Sequence, residues 1–94
     1  MSQPESYYGK YLFTFSYYDK EEQRNIEYNI SGSSSDFFAY LVSEEENYPK
    51  QIEFWRFTDE VQYFPVVNSI LAQAIINEIK KYLEIRKEAW VAHP

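Results

Sequence analysis

Residues 11–30, YLFTFSYYDKEEQRNIEYNI, decide how this chain begins to fold. From Tyr11 to Tyr17 the odd positions read Tyr, Phe, Phe, Tyr and the even ones Leu, Thr, Ser, the period of two expected of a half-buried strand. From Asn25 to Ile30 the alternation returns, with Ile26, Tyr28 and Ile30 on one face. A hairpin with Lys20 to Gln23 as its loop sets Asp19 opposite Arg24, Tyr17 opposite Ile26, Phe15 opposite Tyr28 and Phe13 opposite Ile30. The same register puts Ser16 against Glu27 and Thr14 against Asn29 on the reverse face. A slip of one residue would spoil both faces, so the sequence specifies this pairing strongly.

After the hairpin comes Ser31-Gly32-Ser33-Ser34-Ser35-Asp36, a cluster of breakers whose hydroxyls and carboxylate suit the N-cap of a helix. The reading that follows is a short helix from about Asp36 to Ser43, with Phe37, Phe38, Tyr40, Leu41 and Val42 on a broad face. It runs into Glu44-Glu45-Glu46, negative charges at the negative end of the helix dipole, which should fray its last turn. Gln51 to Thr58 reads as a strand with apolar residues on both sides, as central strands have. Val61–Phe64 reads either as a fourth short strand or, with Thr58 ahead of two acids, as a capped helical turn.

From Val66 or Val67 to about Glu88 no glycine or proline intervenes, and apolar residues recur at helical spacing. Leu71, Ala72, Ile75, Ile76, Ile79, Tyr82, Leu83, Ile85, Ala89 and Trp90 span an arc of about 180°, where a helix on one sheet needs roughly 100°. The expected fold class is therefore α+β: a small antiparallel sheet of three to four strands in the order β-β-α-β-(β)-α, with a short helix and a long C-terminal helix packed on one face. The expected organisation is one domain over residues 1–94, with 1–6 and 91–94 loosely held.

Composition narrows the chemistry. The chain has no cysteine, so disulfides and thiolate metal sites are excluded, and a reducing, cytoplasmic setting is expected. Its N-terminus lacks the pattern of a signal peptide, so the glycosylation triplet Asn29-Ile30-Ser31 is set aside. No apolar run approaches the roughly 20 residues of a membrane span. Net charge is −6, made of thirteen acids and five bases in residues 1–79 and of two acids and four bases in residues 80–94. An acidic body repels phosphate, so direct nucleic-acid binding is not expected, and a basic protein partner is.

No catalytic or metal signature emerges. The one histidine, His93, is penultimate, and the consecutive glutamates lack the spaced oxygens and glycine of a calcium loop. The SGSSSD segment lacks the lysine and further glycines of a phosphate-binding loop and reads as a capped linker. The aromatic strand lacks the glycine and basic residues of an RNA-recognition motif. No cofactor and no metal are expected, and the chain is not expected to be an enzyme.

The 19 aromatics, the sum of 2 Trp, 10 Tyr and 7 Phe, exceed what one small core can hold, so some must face solvent. Those out of phase with the core are Tyr7, Tyr8, Tyr18, Tyr48, one side of the third strand, and Trp90. Exposed tyrosine and tryptophan are typical anchors of protein interfaces. The expected function is a non-enzymatic interaction module. Its partner-binding candidates are Tyr7, Tyr8, Tyr18, Tyr48 and Trp90 together with the acidic loop residues Glu21, Glu22, Glu44, Glu45 and Glu46. Ile76, Leu83 and Trp90 on the wide helical arc are the candidates for self-association into a homo-oligomer. A narrower alternative is a small acidic inhibitor that mimics nucleic acid to block a basic toxin, nuclease or defence complex.

Overall fold

The computed structural model describes residues 11–33, 35–42 and 47–92. Five strands, β1 (Tyr11–Asp19), β2 (Arg24–Gly32), β3 (Asp36–Leu41), β4 (Gln51–Phe57) and β5 (Glu60–Phe64), form one antiparallel meander in the order β1-β2-β3-β4-β5. One helix, α1 (Ser69–Ile85), follows. The fold remains α+β, but the expected count of three to four strands and two helices is corrected to five strands and one helix among the described residues.

The β1–β2 hairpin has the register read from the sequence, from Asp19 opposite Arg24 to Phe13 opposite Ile30. Its tip closes with Gln23 in the left-handed region, φ 54°.

The correction lies in residues 36–41, which extend as β3 instead of coiling. Phe37 and Ala39 point into the core and meet Gly32 and Ile30 on β2 and Phe54 and Ile52 on β4. Phe38 and Tyr40 occupy the opposite phase. A helix this short is marginal in water, whereas as a strand the same residues gain two ladders of backbone hydrogen bonds. Aromatic side chains also suit a pleated surface. The end of β2 and the start of β3 are therefore tied together where a helix cap was expected, and the Ser33 N–H donates to the Asp36 carbonyl at 2.9 Å. Gly32 is required there by close approach: a Cβ would lie 2.8 Å from Phe37 Cα and closer still to the Asp36 carbonyl oxygen. The open choice at Val61–Phe64 resolves as strand β5, paired with β4.

The helix begins at Ser69 because Asn68 caps it, its Oδ1 accepting the N–H groups of Ile70 at 2.7 Å and Leu71 at 3.4 Å. Leu71, Ala72, Ile75, Ile76, Ile79 and Leu83 are buried against Ile26, Tyr28, Ile30, Phe37, Ala39, Ile52 and Phe54 of the three central strands. Phe13, Phe15 and Tyr17 on β1, and Val61 and Tyr63 on β5, pack against the margins of this core. Phe13 stacks on Tyr82 at 4.1 Å between centroids and 17° between planes. The sheet itself thus covers most of the wide apolar arc.

Ile85, the last residue of α1, stays exposed, and Ala89 and Trp90 lie beyond the helix. Lys87 adopts φ 59°, and the Glu88 N–H bonds back to the Leu83 carbonyl at 2.9 Å, so the chain reverses after the last turn. Trp90 returns to the sheet and is 6% exposed. Its ring meets Phe37 edge-on at 5.1 Å, its Nε1–H donates to the Ser35 carbonyl at 2.9 Å, and its own carbonyl accepts from Arg56 Nη1 at 2.7 Å. Ala92 forms a parallel bridge with Arg56, so residues 91 and 92, expected to be loosely held, lie against the sheet. No helix among the described residues is long and apolar enough to cross a membrane.

Candidate functional site

Two surfaces gather side chains of functional type. The first is a recess of about 310 Å³ between the β1–β2 tip and the start of α1, walled by Tyr17, Tyr48, Val67 and Leu71 and rimmed by Asp19, Glu21 and Glu22. Asp19 is fixed there. One carboxylate oxygen accepts the N–H groups of Glu21 at 2.9 Å and Glu22 at 3.2 Å, and the other accepts the Tyr48 hydroxyl. The Tyr48 hydrogen bond is the main reason the Asp19 carboxyl titrates below its ordinary value, with the Glu22 and Glu21 N–H groups and Arg24 adding to it. The Tyr48 hydroxyl is pushed up, first by desolvation and then by its bond to Asp19. Behind the recess Tyr28 is fully buried, its hydroxyl donates to the Pro49 carbonyl at 3.1 Å, and burial raises its pKa to about 12.

The second surface is the sheet face turned away from α1. Strand alternation sends Phe38 and Tyr40 from β3, Glu53, Trp55 and Phe57 from β4, and Phe64 from β5 to this side. The register sets Glu53 directly between Phe38 and Phe64 on the neighbouring strands. Trp55 lies two residues further along β4, and Phe38 and Tyr40 stack at 6.3 Å and 19°. Phe57 is 55% and Phe64 66% exposed, unusual for phenylalanine on an ordered sheet.

The charge on this face has one sign. Its outward positions carry Glu27, Glu53 and Glu60 and, over the five strands, no lysine or arginine. Arg56, the strand cation next to Trp55, is held on the other side, where Nε donates to the Thr58 carbonyl at 2.8 Å and Nη1 to Trp90.

Among the candidates from sequence, Tyr48, Glu21 and Glu22 meet at the recess. Tyr18 is 53% exposed on the outward phase of β1. Tyr7, Tyr8, Glu44, Glu45 and Glu46 lie outside the described residues. Ile76, Leu83 and Trp90 are corrected: all three are buried in this chain's own core and offer no surface for self-association. Helical periodicity reports which side of a helix is apolar but not whether the same chain covers it, and Trp90 is not on the helix at all.

The sequence points to one side of β4 but not to Phe38, Tyr40 and Phe64, because its breaker cluster suggests a helix over residues 36–43 and residues 61–64 fit either a strand or a helical turn. Treating 36–41 as a strand would have put Phe38 and Tyr40 on that face. The SGSSSD segment leads into a strand, so no helix N-terminus faces an anion there. Among the described residues no group of acids or histidine is arranged to hold a metal ion. Comparison of the chain with family models, with curated proteins and with solved structures finds no match.

Proposed function

We propose that this chain is a protein-interaction module that engages a protein partner through the outer face of β3, β4 and β5. The observation that carries the reading is the exposure of Phe57 and Phe64 beside Trp55 on a sheet whose other face is filled by α1. Keeping large rings in water forgoes roughly 25 cal/mol for each Å² of apolar surface left unburied. Contiguous exposed aromatic surface is also a mark of binding sites on otherwise polar proteins. The ladders on both sides of β4 hold these side chains on a rigid support, which limits the ordering cost of docking. The module acts by binding, without catalysis.

The test is photo-crosslinking in the native host, with benzoylphenylalanine placed at Phe64 or, as a control, at Gln73 on the exposed side of α1. Position 64 should yield a discrete adduct with another protein, and position 73 should not. The adduct's partner, purified, should lose at least tenfold in affinity for the Phe57→Asp and Phe64→Asp variants. No adduct, or the same adduct from both positions, contradicts the reading, and an adduct of two copies of the chain replaces it with self-association.

A further inference from the structure

We infer that the segment docking on this face carries arginine, and that Glu53 receives the guanidinium between the rings that flank it; this rests on the docking reading above. Glu53 is half-buried, with Phe38 across on β3, Phe64 across on β5 and Trp55 on the next outward position of β4. Side chains directly opposite on paired strands stand about 5 Å apart at Cβ, so the carboxylate lies within reach of both rings. Among the described residues the Glu53 carboxylate makes no side-chain hydrogen bond or ion pair.

Charge selects the occupant. Glu27, Glu53 and Glu60 on one face repel phosphate and repel the same face of a second copy. The other side of a second copy is a weak complement, because Lys80, Lys81, Arg86 and Lys87 are interleaved there with Glu78, Glu84 and Glu88. A cationic segment of another protein satisfies the face. The rings then choose between the cations. A planar guanidinium can pair with a carboxylate while stacking on an aromatic face, whereas a strongly hydrated ammonium does this poorly.

The probe is a fluorescein-labelled hexa-arginine peptide titrated with the full chain at 150 mM salt, read by anisotropy, with hexa-lysine in parallel. Hexa-arginine should bind at least fivefold more tightly than hexa-lysine. E53Q should weaken hexa-arginine binding about tenfold and W55A at least fivefold, whereas the helix variant E78Q/E84Q, on the other side of the sheet, should change it less than twofold. Far-UV circular dichroism of each variant checks that the fold is retained, which the partial exposure of both side chains favours.

No binding of hexa-arginine, equal binding of the two peptides, or a loss with E78Q/E84Q as large as with E53Q overturns the inference. Each of these outcomes leaves the docking reading standing if position 64 still crosslinks a protein. Absence of that crosslink defeats the docking reading itself.

Discussion

Replacing Trp90 by alanine should come close to unfolding the domain, although this residue lies beyond the last turn of α1 and only four positions from the C-terminus. The ring is 6% exposed, packs edge-on against Phe37 and donates its N–H to the Ser35 carbonyl. Removing a buried tryptophan costs about 3–5 kcal/mol, and the orphaned Ser35 carbonyl adds about 1 kcal/mol. At roughly 0.05–0.15 kcal/mol per residue, a domain of this size has a total of only about 5–14 kcal/mol. With about 4–8 °C lost per kcal/mol, a total loss of about 4–6 kcal/mol should lower the melting midpoint by about 16–48 °C.

Urea unfolding followed by circular dichroism at 222 nm measures the loss without relying on tryptophan emission. Two comparison variants make the number interpretable. W90F keeps one ring in contact but loses the donor and part of the buried volume, so it should cost about 1–3 kcal/mol, less than W90A. W55A removes the tryptophan of the outer face and should cost about 1 kcal/mol or less, because that ring is only half-buried. If W90A costs less than about 1.5 kcal/mol, or if W55A costs as much as W90A, then the core and the outer face have been assigned to the wrong tryptophans.

Two further outcomes follow from local geometry. Gly32→Ala should destabilise by about 1–3 kcal/mol, against the usual small gain from such a change, because the new methyl would meet the backbone of Asp36 and Phe37; a midpoint equal to or above wild type would refute the close approach. The Asp19 carboxyl titrates below 3.8 in the folded chain, so its contribution is present above that pH and disappears as pH falls through the folded value. D19N should therefore be less stable than wild type at pH 6, and the difference should shrink as pH falls below 3.8. Tyr28 has the opposite sense: its folded pKa of about 12 stands above the ordinary 10, so its contribution is intact below pH 10 and is lost as pH rises towards 12. Absorbance at 295 nm should show Tyr28 and Tyr48 titrating late, and Y28F should remove one of the two.

How far the sequence could be read depends on whether binary pattern and local chemistry agree. In the hairpin they agree, because every apolar residue from Phe13 to Tyr17 meets an apolar partner in only one register. In α1 they agree again, since Leu71 to Leu83 keep a helical period with no breaker. At Asp36–Leu41 they conflict. Rings on both sides hide the period of two, and serine and aspartate serve turns as readily as helix caps. The negative run after Ser43 was the available signal against a helix there. Trp90 was misplaced for another reason: the reversal at Lys87 uses a lysine in the left-handed region, where a glycine would have announced it. The docking face inherits both difficulties, because it exists only once β3 and β5 flank β4.

The pairing of β3 is accordingly the point on which the outer face depends, and nuclear Overhauser contacts in the ¹³C,¹⁵N-labelled chain test it most directly. Cross-strand contacts linking Ser31 with Phe38 and Phe38 with Glu53 are the expected result, since these residues are paired across β2, β3 and β4. Strong sequential amide–amide contacts from Asp36 to Leu41, with αN(i,i+3) contacts and no cross-strand partners, would mean a helix in place of β3. The aromatic and acidic face proposed for docking would then not exist.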